Sequence, residues 1–143
     1  MRKILIYLIL MFATTLMASE IKWAKDYDAG IKEAARFAKP VLFISSRHTC
    51  KFCVILDDTT LKDQRVVKAL NKDFVSIISY SDEQDFVPRE LYHPGTPAIW
   101  FLLPNGEPMF QPIMGAIDAE NFLNALKVVK KEFDEIIIKS GKK

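Results

Sequence analysis

Apolar positions recur every three to four residues through DYDAGIKEAARFAK, placing Ile31, Ala34, Ala35 and Ala38 on one face and Lys32, Glu33 and Arg36 on the other. That spacing predicts a first helix, preceded by Trp23 and stopped by Pro40. VLFIS (41–45) is a continuous apolar run of strand length, as expected where both faces of a sheet are covered. CKFCVILDD follows almost directly with helical character, and Asp63 can cap a further short helix over QRVVKALNK. FVSIISY (74–80) predicts the next buried strand. SDEQDFVPRELYHPG (81–95) has no period and is polar, a loop long enough to carry a function. PAIWFLL (97–103) then predicts a strand, PNGE a turn, and PMFQPIM (108–114) an antiparallel partner. From Asp118 to about Lys139 the apolar stripe Phe122, Leu126, Val129, Phe133 and Ile136, with Leu123 and Ile137 beside it, predicts a long amphipathic helix.

The order helix, strand, helix, strand, hairpin, helix constrains the topology. Two strands joined by a helical crossover are expected to be parallel, and a hairpin adds antiparallel strands. The expected α/β architecture is one mixed sheet of about four to five strands with helices on both faces. Neither a repeat nor a low-complexity tract marks a second domain, so residues 19–143 read as one domain.

The first 18 residues change the picture of charge and location. Arg2 and Lys3 are followed by a wholly apolar run over residues 4–12 and then by small or polar residues. This is the layout of a secretory signal peptide, with cleavage expected after Ala18. The apolar run falls short of the roughly 20 residues needed to span a bilayer, and no cysteine sits at the cleavage point to carry a lipid. Cleavage takes Arg2 and Lys3 from the 20 basic residues of the whole chain, leaving 18 against 18 acidic ones. A formally neutral domain without a basic stripe argues against a nucleic-acid partner. The expected location is periplasmic or otherwise exported.

An exported chain meets an oxidising compartment, where cysteines pair. Stapled mini-domains carry four, six or eight; this chain has two, in the stretch SSRHTCKFCVIL (45–56). Cys50 falls just beyond the carboxyl end of a buried strand and at the expected start of a helix, where open α/β sheets usually place their chemistry. Free N–H groups and partial positive charge there favour a thiolate, and Lys51, Arg47 and His48 add cationic neighbours. Cys53, one turn further on among Phe52, Val54 and Ile55, is expected to be buried and protonated. An exposed attacking sulfur beside a buried resolving one suits thiol–disulfide exchange.

With KPVLFISSRHTCKFC as strand and redox motif, FVSIISY as the next strand and GTPAIWFLLPNGEP as a proline-led strand and hairpin, the chain resembles the thioredoxin superfamily, in particular its exported thiol:disulfide oxidoreductases. The resemblance covers essentially the whole mature chain. It implies a thioredoxin fold and a cis peptide bond before Pro97, packed against the cysteine pair. It also implies that Thr96 offers backbone groups to a substrate strand. Cys50 would be the nucleophile, Cys53 the resolving thiol, with Lys51 and His48 tuning the pKa, no bound cofactor beyond the Cys50–Cys53 disulfide, and protein thiols or disulfides as partners of a monomer. Three departures stand out. Thr49 occupies the place of the tryptophan before thioredoxin's first cysteine, Lys51–Phe52 replaces its Gly-Pro, and Ile44 stands where thioredoxin buries an aspartate implicated in deprotonating the second cysteine.

On the residues alone, two other uses of the pair stay open. A plain disulfide would close so short a ring that its entropic stabilisation is small. A metal module would use His48, Cys50, Cys53 and His93, the only histidines and cysteines in the chain, for zinc or copper. Glu33, Asp57 and Asp58 are candidate acids that an exposed helix face explains equally well. Among exchange reactions the single domain suits a reductase, fed by a membrane electron donor, or an oxidase. The reading favours the reductase.

Overall fold

The computed structural model describes residues 19–141; the expected signal peptide lies outside them. They form four α-helices and four strands, in the order α1 (Tyr27–Phe37), β1 (Val41–Ser46), α2 (Lys51–Asp58), α3 (Gln64–Asp73), β2 (Val75–Tyr80), β3 (Ala98–Leu102), β4 (Ile113–Met114) and α4 (Ala119–Ser140). The sheet order is β2-β1-β3-β4, with β1 parallel to β2 and antiparallel to β3. This is the mixed sheet expected from the pattern, with four strands. A partial fifth rung is supplied by Trp23, which bridges to Ser76 in parallel, while Ala24 donates to the Ser76 carbonyl at 2.8 Å.

Strand alternation sorts the core into two layers. Leu42 and Ile44 of β1, with Ile99 and Phe101 of β3, face α2, α3 and α4 through Leu56, Val66, Leu70, Phe122 and Leu126. Val41 and Phe43, with Val75, Ile77, Ala98, Trp100 and Leu102, face the other way onto Tyr27, Ile31 and Ala34 of α1. Every residue of β1 is buried, as its unbroken apolar run requires.

The helix starts follow their caps. Asp26 accepts from the Ala29 amide at 2.8 Å, Asp63 from Arg65 at 2.9 Å and Asp118 from Asn121 at 3.0 Å. Arg65 also pairs with Glu120, tying the start of α3 to the start of α4, and its guanidinium holds the half-buried Asp63 carboxyl down at about 2.

Three details differ from the pattern. Helix α1 ends at Phe37 with Ala38 in the left-handed conformation, and Ala35 and Ala38 are exposed; the buried face instead uses Gly30 and Ala34. Gly30 lies so close to β2 that its face admits no side chain. The predicted partner strand over 108–114 is broken into a single bridge, Leu102 to Pro108, and the two-residue β4. Pro108 and Pro112 have no N–H to give a ladder. Ile137 of α4 is exposed and Ile136 only half-buried, because the helix outruns the core after Phe133. The turn itself forms as expected: Gly106, at φ 87°, donates to Leu103 O at 2.9 Å.

A Cβ at Gly30 would collide with two side-chain carbons of Ile77. Overpacking of this kind costs about 1–3 kcal/mol. Gly30→Val is therefore expected to lower the urea midpoint by the equivalent of about 2 kcal/mol with the m-value unchanged. A midpoint equal to wild type would contradict the close approach of α1 to β2.

Candidate active site at the cysteine pair

Strand β1 delivers the chain to Ser46, and a tight turn follows in which the Cys50 amide donates to Arg47 O at 3.3 Å. Cys50 is the N-cap of α2, with extended backbone, and its sulfur accepts from the Cys53 amide at 3.2 Å. The sulfur thus takes the capping role that a serine or aspartate oxygen fills elsewhere. From the opposite side the Cys50 thiol donates to the Thr96 carbonyl at 3.3 Å. The Thr96–Pro97 peptide bond is cis, and Pro97 O then accepts from Gly115 at 3.0 Å, joining the strand start to the end of β4. Both thiols are free, Cys50 half-buried and Cys53 fully buried.

The two sulfurs differ electrostatically in the direction exchange chemistry needs. Burial opposes ionisation of Cys50, but hydrogen bonds from Cys53, Thr96 and the Cys53 and Phe52 amides outweigh it and bring the thiol below its ordinary value. Burial pushes Cys53 up, and the hydrogen bond it gives to Cys50 adds to this, against smaller lowering contributions from Ser46, Thr96 and the Arg47 backbone. Ser46 Oγ is itself buried without a hydrogen-bond partner, a hydroxyl free to turn toward a Cys53 thiolate.

The structure brings Cys50, Cys53, Thr96 and Pro97 together. Lys51 is exposed at the first position of α2. The His48 ring stacks on Tyr80 at 4.0 Å between centroids and pairs through Nε2 with Glu83 Oε1 at 2.7 Å. His93 sits in the loop before Thr96, where its Nδ1 accepts from the Gly95 amide at 3.0 Å. The four potential ligands His48, Cys50, Cys53 and His93 do not form one cluster. Among the described residues no three His, Cys, Asp or Glu side chains assemble into a metal-binding group.

Sequence reasoning missed the platform beneath the cysteine turn. A 3-10 turn at Ser81–Glu83 follows β2, and Asp82 Oδ2 accepts from the His48 amide at 2.8 Å and the Thr49 amide at 3.4 Å. Arg47 Nε donates to Ser81 Oγ at 3.1 Å. The available signal was the SDE tripeptide closing a strand parallel to β1, since parallel neighbours end on the same edge.

With this geometry in place, comparison with known proteins is informative. The family model of the thioredoxin-like domain matches residues 27–130. The chain belongs to the thioredoxin-like domain family. Similar solved structures include a thioredoxin from Thermus thermophilus, at TM-score 0.65 and 22% identity over 78% of this chain and 88% of that one. The DsbH oxidoreductase aligns at TM-score 0.63 and 14% identity, covering 82% and 89%. The reduced C-terminal domain of Neisseria meningitidis DsbD aligns at 0.57 and 21%, covering 70% and 90%. At these identities the structures establish the shared fold. No curated protein matches the chain significantly.

Because Cys50 is lowered and Cys53 raised, alkylation of the reduced protein is expected to be sequential with pH. Iodoacetamide should modify Cys50 first, with a half-maximal rate at lower pH than an ordinary thiol, and Cys53 only at higher pH. Peptide mapping that finds both sulfurs reacting together, or Cys53 first, would contradict the hydrogen-bond assignment.

Proposed function

We propose that this protein is an exported thiol:disulfide oxidoreductase that exchanges disulfides with protein substrates through Cys50 and Cys53. The observation that carries the reading is the placement of a lowered, half-exposed Cys50 sulfur at a helix start, 3.3 Å from Thr96 O beside Pro97, with the 0 % exposed Cys53 one turn behind it. Cys50 as thiolate attacks a substrate disulfide and forms a mixed disulfide. Cys53 then attacks the Cys50 sulfur and releases the substrate reduced. In the reverse sense a substrate thiol attacks the Cys50–Cys53 disulfide. Two electrons are held on the two sulfurs, so the reaction needs no bound cofactor.

An extended substrate segment would lie along the Thr96–Pro97 edge. Met114 of β4, 42 % exposed, flanks that edge, and Phe52, 55 % exposed, lies beside Cys50 on α2. These apolar surfaces favour substrates that present an unfolded or flexible cysteine-bearing strand. The direction favoured is reduction by a monomer, supplied by a membrane electron donor. Among the described residues no helix is long and apolar enough to cross a membrane.

Trapping tests the reading. Cys53→Ala expressed with its leader is expected to accumulate mixed disulfides with other exported proteins, visible as reductant-sensitive bands, while Cys50→Ala gives none. Bands that depend on Cys53 instead would reverse the assignment. Zinc or copper bound stoichiometrically to the reduced protein, lost on changing His93, would move the function to metal handling.

A further inference from the structure

The resolving step needs Cys53 to lose a proton while it is 0 % exposed and its pKa is held up by burial. Strands β1, β2 and β3, with sequences VLFISS, VSIISY and AIWFL, carry no carboxylate, lysine or histidine to take it. Ile44, the β1 residue facing the α2 side, is fully buried and inert. The acceptor must come from outside the strands.

One carboxylate is placed to serve. Asp57 stands four residues after Cys53 on α2, a spacing that puts both side chains on one helix face. Its neighbour Asp58 is exposed and paired with Lys62 at 2.9 Å. Asp57 is half-buried, and it lines a cavity of about 450 Å³ together with Asp58, Tyr80, Ile21, Trp23 and Leu61. The N-terminal segment roofs this cavity, held by Lys22 N–H to Asn71 Oδ1 and Asn71 Nδ2 to Glu20 O, both at 2.8 Å. Its polar rim and volume admit water, so a proton can pass between the carboxylate and solvent.

We propose that Asp57 is the proton acceptor for Cys53, directly or through water in the cavity it shares with Tyr80. The proposal rests on the exchange reading above and supplies its missing base. In the step, the Cys53 S–H bond breaks and its proton passes to the Asp57 carboxylate. The sulfur's electron pair forms the Cys50–Cys53 bond. The bond from Cys50 to the substrate sulfur breaks, and that sulfur leaves with the pair and is protonated by solvent. The dithiol is oxidised by two electrons and the substrate disulfide is reduced by two.

The surroundings support this role. Burial, then the Asp58 charge, raises the Asp57 pKa, against smaller opposing contributions from His48 and Lys62. A carboxyl raised above its ordinary value accepts a thiol proton more readily than an ordinary one. The Tyr80 phenol, which lines the same cavity, is raised by burial first and then by Asp57, Glu83, Cys53 and Asp82. The charges facing Asp57 are therefore Asp58 on its own helix, Lys62 from the following turn, Glu20 across the cavity, and His48 stacked on Tyr80.

Ellman's reagent added to the reduced full domain separates the two steps. Release of the first nitrothiolate reports attack by Cys50, and release of the second reports resolution by Cys53. Asp57→Asn is expected to leave the first phase unchanged and slow the second by about 100-fold near neutral pH, the scale of a lost general base. Asp57→Glu should largely restore it. A second phase at wild-type rate in Asp57→Asn would falsify the proposal while leaving the exchange reading intact. A wild-type chain that releases neither nitrothiolate overturns both. The wild-type pH profile gives an independent readout if the asparagine variant does not fold. The second phase should fall through a carboxylate ionisation lying above its ordinary value, and a profile governed by thiol ionisation alone overturns the role of Asp57.

Discussion

The antiparallel pairing of β1 with β3 is the constraint on which the site depends. Its last rung, Ser45 opposite Ala98, brings the chain just before Ala98 beside the chain just after Ser45. Cys50 and Thr96, 46 residues apart, are thereby close enough for the thiol to reach the Thr96 carbonyl. The pairing persists because β1 is buried on both faces and flanked on both sides, so a slip by one residue would exchange its two apolar faces and disrupt two core layers at once. The parallel neighbour β2 ends at the same edge and contributes the Ser81–Glu83 turn, whose Asp82 fixes the cysteine turn from the other side. Three strands thus converge on one sulfur.

From that convergence follows the division of labour between the thiols. A helix that begins at Cys50 gives its free amides to the Cys50 sulfur and none to Cys53, which has already entered the first turn. Hydrogen bonding favours the thiolate on the first, and burial favours the thiol on the second. The same asymmetry creates a need. A sulfur kept protonated by burial cannot resolve a mixed disulfide unless something takes its proton, and in this chain Asp57 stands one helical turn from it while the buried Ser46 hydroxyl has no hydrogen-bond partner. The surface pair of His48 with Glu83, exposed on both sides, contributes little to stability; its consequence is the orientation of the ring on Tyr80.

Much of this was legible in the sequence, for a physical reason. Buried strands and a long amphipathic helix have strong apolar patterns, so β1, β2, β3 and α4 lie within a residue or two of their expected positions. The cap Asp63 was equally readable, and Asp118, read as the start of the last helix, is its cap. Features set by contacts between distant segments were not. Ala35 and Ala38 fit a helical period, but the close approach of Gly30 to Ile77 rotates α1 so that they face out. The hairpin after β3 looked continuous, yet Pro108 and Pro112 leave it with one bridge and two paired residues. At the site, the cysteines, Thr96 and Pro97 were identifiable from motif and order. Asp82 was hidden in an aperiodic loop, and the significance of Asp57 depends on a cavity lined in part by Ser19, Glu20, Ile21 and Trp23, which no local pattern encodes.

The central claim is that Cys50 and Cys53 form a reversible dithiol–disulfide couple, and the most direct test is its reduction potential. The mature domain would be equilibrated in graded thiol–disulfide buffers and scored by alkylation mass shift. The account predicts a single two-electron transition, near the thioredoxin value of about −270 mV if the direction is reduction. A transition between about −180 and −120 mV would keep the couple but reverse the favoured direction. A protein in which the two thiols show no reversible transition would contradict the account.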